Sequence, residues 1–396
     1  MKINNTYHLT YCTNIHAGGD WDETFASLKQ NLPQIKKAVS PNEPFGLGLR
    51  LGNTASLELN DGQLEGFKDW LSENDCYIFT MNGFPYGNFH GEPVKDQVHV
   101  PDWTTKDRLK YTLRLFQQLD NLAPTELECG ISTSPISYKH WFKSDAQKQQ
   151  AFVQGAKHMA QVALELYQTE KESGRYMHLD VEPEPDGFLE NTQEVLHFFD
   201  TYLIPEAKKV FKTFNFGENK VEELLKRYIT VCYDVCHLAL AYEEPNLTFE
   251  RFKEAGIKVG KIQVSAALKI LNNHDNEEEL WDTLAQFNEP VYLHQVTEKI
   301  NGKVVTYNDL PVVLEKKAPF DELRSHFHVP IFLEDYGLLQ STQDQIIKVL
   351  AYLERNFVSN HIEVETYTWD VLPEQLKLPI TESIARELDW MKSRLK

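Results

Sequence analysis

Eight short strand-like runs, separated by long amphipathic stretches, constrain the fold of this chain more than any other feature. Each run is apolar and rich in β-branched or aromatic residues, which favours strands. Between the runs, apolar residues recur every three or four positions, which favours helices. The runs are 7–12, 45–51, 76–81, 126–131, 177–182, 229–234, 260–264 and 361–366.

Strands that alternate with helices are typical of a parallel sheet, because parallel neighbours need a crossover connection. Eight such strands close a barrel. We therefore predict an α/β fold, a single (β/α)8 barrel domain over residues 1–396. The rival is an open doubly wound sheet. It lacks support, because no G-x-G-x-x-G follows the first run and no G-x-x-x-x-G-K-[ST] occurs in the sequence.

The stretch between the seventh and eighth runs interrupts the regular alternation of strands and helices, because it is about a hundred residues long. It contains "VYLHQV" (291–296) and "GKVVTY" (302–307), which bracket "TEKIN" and predict an antiparallel hairpin, and then "HFHVPIF" (326–332). We predict an insertion over about residues 288–340, near the mouth of the barrel. In the alternative topology the insertion supplies the eighth strand and the run 361–366 lies outside the barrel.

The charge and the cysteines narrow the class of protein. With 40 Lys and Arg against 59 Asp and Glu the net charge is −19, which argues against nucleic acid and anionic membranes as partners. Five cysteines form no disulfide framework, and no apolar run approaches the length of a membrane span. We predict a cytoplasmic protein that binds a small molecule; a homodimer is an open possibility.

Polar residues follow the strand-like runs, and in a barrel the carboxyl ends of the strands carry the active site. A site made of oxygen ligands and one or two nitrogen ligands suits Mn²⁺, Mg²⁺ or Zn²⁺. A carboxylate at a strand end is often only a helix cap, and a single histidine is usually structural. Convergence favours a metal site, because a barrel does not easily bury three carboxylates without a cation or other partners. These strand-end residues are Asn14, His16, Asn82, His90, Glu182, Asp234, His237, Gln263 and Glu365.

The insertion adds more histidines. On one strand face, His326 and His328 would have the i, i+2 spacing that can chelate a metal, and His294 could lie on a neighbouring strand. They could serve the same metal, bind substrate, or simply pack the hairpin. Cys232 and Cys236 form C-x₃-C without a second cysteine pair, so a structural zinc site is not indicated.

The segment "YDVCHLALAYEE", followed by "GIKVGKIQVSAAL", resembles the xylose isomerase-like TIM-barrel superfamily of sugar isomerases and epimerases. The resemblance implies that the fifth strand ends in the metal ligand Glu182 and that Asp234 and His237 form the D-x-x-H of the sixth. It also implies a glutamate at the end of the eighth strand, matched by Glu365. The seventh strand departs from the pattern, because Gln263 stands where a histidine ligand is usual; His294 is the alternative ligand.

A longer likeness covers nearly the whole chain. The segments "HLTYCTNIHAGGDW", "NGFPYGNFHG", "HFHVPIFLE" and "VETYTWDVLP" resemble the metabolite traffic protein EboE family, which belongs to the same superfamily. This likeness implies the same xylose isomerase-like (β/α)8 TIM barrel. It also leaves open a non-catalytic protein that carries a metabolite.

The leading hypothesis is a metal-dependent isomerase or epimerase of a sugar, polyol or cyclitol, working by proton transfer through an enediolate. Glu182 and Glu365 would be base and acid, and His237 would contact substrate or metal. The metal ligands would be Glu182, Asp234, Gln263 and Glu365. The substrate contacts would be His16, Asn82, His90, His237, His294, His326 and His328. The enzymatic alternative is a phosphodiesterase or endonuclease-like hydrolase.

Overall fold

The barrel is built from eight parallel strands that coincide closely with the eight sequence runs. The computed structural model describes residues 1–88, 93–272, 277–369, 372 and 377–395. The barrel strands are β1 (Tyr7–Tyr11), β2 (Phe45–Arg50), β3 (Cys76–Asn82), β4 (Cys129–Thr133), β5 (Met177–Val181), β6 (Ile229–Asp234), β7 (Val259–Val264) and β8 (His361–Val364).

The eight barrel strands lie in the order β1, β8, β7, β6, β5, β4, β3, β2, and each neighbouring pair among them is parallel. A two-residue strand, Lys2–Ile3, adds one antiparallel pairing to β1. The barrel sheet nearly closes, because a single parallel bridge joins Cys12, beyond β1, to Gly48 in β2. Since β8 pairs with both β1 and β7, the run 361–366 supplies the eighth strand, and the alternative topology is wrong.

Helices connect and surround the strands, as the three- and four-residue periodicity predicts. Among the described helices, none combines the length and apolarity needed to cross a bilayer. The α-helices are Trp21–Val39, Asn53–Glu58, Asp61–Glu73, Lys106–Leu122, Asp145–Ser173, Thr192–Phe198, Ile204–Val210, Glu218–Tyr228, Val235–Leu240, Pro245–Glu254, Glu277–Ala285, Leu310–Lys316, Gln343–Leu353 and Ile380–Lys392.

A second, antiparallel sheet of six strands lies between β7 and β8 in sequence. The first strand of this sheet in sequence, Leu268–Leu271, precedes the predicted insertion over about residues 288–340. The six strands, in sheet order, are Lys303–Tyr307, Val296–Ile300, Glu322–Ser325, Leu268–Leu271, Leu339–Ser341 and Asp335–Tyr336.

The structure corrects two predictions about this region: the bounds of the hairpin, and the assignment of residues 326–332 to a strand. The hairpin pairs Val296–Ile300 with Lys303–Tyr307, not 291–296 with 302–307. The turn is Asn301-Gly302, and both residues have positive φ (49° and 78°), as a tight two-residue hairpin turn requires. This Asn-Gly pair fixes the register. The "HFHVPIF" segment is not a strand either, because the preceding strand ends at Ser325.

The barrel interior is unusually polar. Lys261 and Glu363, both fully buried, form an ion pair of 2.7 Å between β7 and β8. Glycines on the facing strands make room for such groups: a Cβ on Gly48 would lie 1.7 Å from Glu363 Oε2, and one on Gly260 would lie 2.0 Å from Asp180 Oδ1. The inward glycines are therefore required by the size of the polar side chains opposite.

We expect Lys261→Met to destabilise the protein by about 3–5 kcal/mol, because it leaves the Glu363 carboxylate buried without its partner. Urea unfolding at neutral pH measures this change. The exposed pair Lys68–Glu65, at 3.4 Å, is the matched control, and Lys68→Met should cost less than about 1 kcal/mol. Equal losses in the two variants would contradict a structural role for the buried pair.

Candidate metal centre at the carboxyl ends of the strands

Three buried carboxylates meet at one end of the barrel. Glu182 directly follows β5, Asp234 is the last residue of β6, and Glu365 directly follows β8. One ligand oxygen from each lies within 4.8 Å of the other two, and all three residues are at most 4% exposed. Parallel strands bring their carboxyl ends to the same face, which is why residues far apart in sequence converge.

The protein holds one oxygen of the Asp234 carboxylate and leaves the other without a hydrogen bond to a described residue. Asp234 caps the helix Val235–Leu240: its Oδ1 accepts from the His237 amide at 2.9 Å and from Ser265 Oγ at 2.8 Å. Within the described part of the chain, Asp234 Oδ2 and Glu182 Oε2 have no hydrogen-bond partner. The helix cap and the ligand role are therefore compatible, since they use different oxygens.

Two amides hold the third carboxylate. Glu365 Oε1 accepts from Asn14 Nδ2 at 2.5 Å and from Asn82 Nδ2 at 3.0 Å. Asn82, a predicted substrate contact, thus orients Glu365 and also lines the cavity. Asn14 shares this role.

Burial and mutual repulsion favour protons on these groups. Burial, followed by the charges of Glu365 and Asp234, raises the pKa of Glu182 well above its usual value. Burial, followed by Asp234 and Glu363, raises the pKa of Glu365 to about 8, and Lys261 offsets part of the effect. A divalent cation among the three would favour the ionised forms.

Gln263, at the end of β7, presents the wrong atom for a ligand. Its Oε1 lies 4.0 Å from Cys232 Sγ, and its amide faces Glu365 and lowers the pKa of that carboxyl, so Nε2 is the atom turned toward the carboxylate. An amide nitrogen donates and does not bind a cation. Turning the amide over would exchange the two atoms, so the ligand role of Gln263 stays a prediction.

Both ring nitrogens of His294 contact groups other than the three carboxylates. Its Nε2 is 2.6 Å from Glu289 Oε1, and its Nδ1 is 2.7 Å from the backbone oxygen of His326. Both ring nitrogens are used, so His294 supports the segment that carries His326 and does not replace the missing ligand of β7.

Three other histidines do reach the cluster. His237 Nδ1 lies 3.6 Å from Glu182 Oε1, and His328 Nδ1 lies 3.8 Å from Glu365 Oε2. His237 Nε2 is 3.1 Å from His326 Nε2. The structure thus brings His237, His326 and His328 together beside the carboxylates.

One of the two remaining predicted contacts, His16, lies apart from the cluster. His16 bonds the Tyr11 hydroxyl at 2.8 Å and lines a separate small pocket with Arg50. His90 lies outside the described residues.

A cavity lies beside the cluster and is lined by both polar and apolar residues. The described lining residues are Asn14, Asn82, Phe84, Pro85, Val94, Lys95, Val98, His99, Glu182, Glu184, His237, Tyr292, Leu293, Gln295, His326, His328, Glu365 and Tyr367.

The sequence interpretation missed one polar pair in this lining. His99 Nε2 lies 2.7 Å from Glu184 Oε1, and both residues are buried. The available signal was the repeat in "VEPEP", where Glu184 stands two residues after Glu182. Nothing in the sequence around His99 points to this contact, because His99 is brought in by a loop.

Comparisons with known proteins address the fold. No protein-family model and no curated protein sequence matches the chain. A crystal structure of a xylose isomerase-like TIM barrel protein from Mycobacterium smegmatis in complex with magnesium covers 100% of this chain and 98% of its own, with 10% identity and a TM-score of 0.54. A D-tagatose 3-epimerase-like protein covers 98% and 97%, with 10% identity and a TM-score of 0.48.

The IOLI protein with a bound zinc atom is also similar, at 11% identity over 97% of each chain, with a TM-score of 0.48. None of these structures carries the name of the EboE family, so that finer resemblance stays a prediction. The chain has the fold of the xylose isomerase-like TIM barrels.

Proposed function

We propose that this protein is a metal-dependent isomerase or epimerase of a sugar, polyol or cyclitol. The observation that carries the proposal is the convergence of three buried carboxylates, Glu182, Asp234 and Glu365, of which Glu182 and Glu365 line the cavity. Three carboxylates at this separation favour a bound cation, and Glu182 and Glu365 would move the protons on a bound substrate.

The residues fit a hard divalent cation such as Mg²⁺ or Mn²⁺. Glu182 Oε2 and Asp234 Oδ2 are buried oxygens with no hydrogen-bond partner in the described chain, and Glu365 lies beside them. When bound, the cation supplies Lewis-acid stabilisation of negative charge on adjacent substrate oxygens. The magnesium complex of the M. smegmatis barrel is consistent with this choice.

The chain itself would handle the protons. One carboxylate, Glu182 or Glu365, takes the proton from the carbon next to the substrate carbonyl, and the other returns a proton to the neighbouring carbon or to the opposite face. Asn14 and Asn82 fix Glu365 Oε1, which leaves its other oxygen for this work. His237, near Glu182, is placed to hold a substrate hydroxyl at the edge of the cluster.

The cavity favours a neutral substrate without a phosphate group. Among its described lining residues the one Lys or Arg is Lys95, whose Nζ is 2.5 Å from Asp309 Oδ2 and is therefore already paired. The carboxylates repel anions, while Phe84, Tyr292 and Tyr367 offer an apolar wall to a sugar or cyclitol ring.

A deuterium-exchange screen tests the proposal. Neutral aldoses, ketoses and keto-cyclitols are incubated in D₂O with protein and Mn²⁺, and NMR follows deuterium entering at the carbon next to the carbonyl. We expect exchange with at least one compound and none with its phosphate ester. Tight binding without exchange would instead support a metabolite carrier.

The histidine cluster favours one competing function, a metal-dependent phosphodiester hydrolase. His237, His326 and His328 supply more nitrogen ligands than proton transfer needs. The net charge of −19 opposes a nucleic acid substrate. Cleavage of bis(p-nitrophenyl) phosphate that depends on the carboxylate cluster would favour the hydrolase.

A further inference from the structure

One cysteine and two histidines from distant parts of the chain converge beside the cavity. Cys236 Sγ and one ring nitrogen each of His326 and His328 lie within 4.8 Å of one another. Cys236 belongs to the helix Val235–Leu240 after β6, whereas the histidines follow the strand that ends at Ser325. All three side chains are buried, and the two histidines line the cavity. The group therefore joins the barrel to the segment that leaves the second sheet.

The fold separates Cys236 from the other cysteine of the C-x₃-C pair. Cys232 is on β6, where its Sγ lies 4.0 Å from Gln263 Oε1, and Cys236 is on the helix that follows. The spacing of the two cysteines gave no reason to expect a metal, because the partners of Cys236 are histidines about 90 residues further along the chain.

Each of the two histidines has one ring nitrogen left for a ligand role. His328 Nδ1 is 3.0 Å from the backbone oxygen of Glu365, which only accepts, so Nδ1 holds the proton and Nε2 a lone pair. His326 Nδ1 is 2.9 Å from Gln295 Oε1, and the Gln295 nitrogen donates to the backbone oxygen of Pro185. Histidines that bind metals donate their other N–H to an acceptor in the same way.

The Nε2 atom of His328 lacks a partner. It is buried and has no hydrogen bond to a described residue, and the residue is 1% exposed. Leaving such an atom unpaired is costly, and a metal ion would satisfy it. His326 Nε2 faces His237 Nε2 at 3.1 Å. Since His237 Nδ1 faces the backbone oxygen of Pro183, His237 competes for the His326 lone pair only when both of its own ring nitrogens are protonated.

We propose that Cys236, His326 and His328 bind Zn²⁺ or a similar transition metal ion, at a site separate from the three carboxylates. On a tetrahedral ion, bonds of about 2.3 Å to sulfur and about 2.0–2.1 Å to nitrogen place the ligand atoms about 3.3–3.6 Å apart. The 4.8 Å limit therefore leaves any pair at most about 1.5 Å to close on binding. The ion replaces the thiol proton, which leaves to solvent, so the cysteine binds as a thiolate.

The ligand types select a different metal from the carboxylate cluster. Thiolate and imidazole suit Zn²⁺, for which Co²⁺ is a spectroscopic substitute, whereas carboxylates suit Mg²⁺ or Mn²⁺. Three protein ligands leave a fourth position, as in catalytic zinc sites. Because His326 and His328 line the cavity, that position is open to water or to a substrate oxygen. The site adds a Lewis acid at the histidine end of the cavity and goes beyond the proposed isomerase.

Titration of reduced, metal-stripped protein with Co²⁺, followed by near-ultraviolet absorption, tests the proposal. A thiolate ligand gives Co²⁺ an intense charge-transfer band, which carboxylate and imidazole ligands do not give. We expect this band in the wild type, its loss in Cys236→Ser and in His328→Gln, and its retention in Glu182→Gln/Glu365→Gln. Cys232→Ser is the matched control, because Cys232 is equally buried four residues earlier, and it should keep the band.

Three results would overturn the site: no band in the wild type with excess Co²⁺, a band that survives Cys236→Ser, or loss of the band in the carboxylate double variant. If Cys236→Ser fails to fold by circular dichroism, His328→Gln replaces it, and a band that survives His328→Gln is equally contrary. A missing isomerase activity leaves the thiolate band unchanged, so the two proposals fail separately.

Discussion

Replacing Glu182 or Glu365 by glutamine is expected to lower turnover by about 10²–10⁴-fold, because glutamine keeps the size of the side chain but cannot accept and return a proton. The fold should survive, since both side chains are buried among like charges and the change removes one of those charges. The measurement is the rate of deuterium entry into the substrate found in the screen, alongside urea unfolding of each variant.

Glu206→Gln is the matched control for this loss. Glu206 is buried to a similar degree, but its Oε1 pairs with the exposed Lys209 on the outer helix Ile204–Val210, away from the cavity. The control should keep wild-type turnover. Wild-type exchange in both cavity variants would contradict the acid–base roles.

Removing the metal is expected to make stability fall as the pH rises from about 4.5 to about 8. A carboxyl whose folded pKa is raised stabilises the fold at low pH and loses that contribution as pH rises from its unfolded pKa through its folded one. For Glu365 this interval runs from 4.5 to about 8, and Glu182 shifts in the same direction. The loss should be on the order of a few kcal/mol. Mn²⁺ should reverse it, because the cation favours the ionised carboxylates.

A second buried group, Glu387, contributes to the same pH dependence of stability and must be removed before the metal effect is measured. Burial raises the pKa of Glu387 to about 8 as well, and its Oε1 accepts from the Ile331 amide and from Thr366 Oγ1. Glu387→Gln should therefore stabilise the fold at about pH 9 with or without Mn²⁺. Urea unfolding of the Glu387→Gln variant, with and without Mn²⁺, then measures the pH dependence of stability that comes from the three carboxylates. Equal pH profiles with and without Mn²⁺ would count against a cation at the carboxylates.

Periodicity was sufficient to predict the barrel and the convergence of its acidic residues. Each of the eight runs overlaps a barrel strand, so the strand ends could be found from sequence alone. Glu182, Asp234 and Glu365 stand at or directly after those ends, and the parallel order of the sheet then brings them together.

The inserted segment could not be predicted to the same degree. Its strands are short, and the sequence interpretation placed Asn301 in a five-residue loop and Gly302 in the following strand, although the two form the turn. The expected strand face for His326 and His328 does not exist, yet the two rings still lie on one side, because irregular backbone held by His294 and Gln295 positions them. Contacts made by loops, such as His99 with Glu184, depend on tertiary packing that no local pattern encodes.

The most direct test of the metal centre is an anomalous difference map from crystals soaked in Mn²⁺. We predict a peak among Glu182 Oε2, Asp234 Oδ2 and the Glu365 carboxylate, and its loss in Glu182→Gln/Glu365→Gln. A map without a peak at these oxygens, or a peak that survives the double substitution, would contradict the assignment of these carboxylates as the metal site.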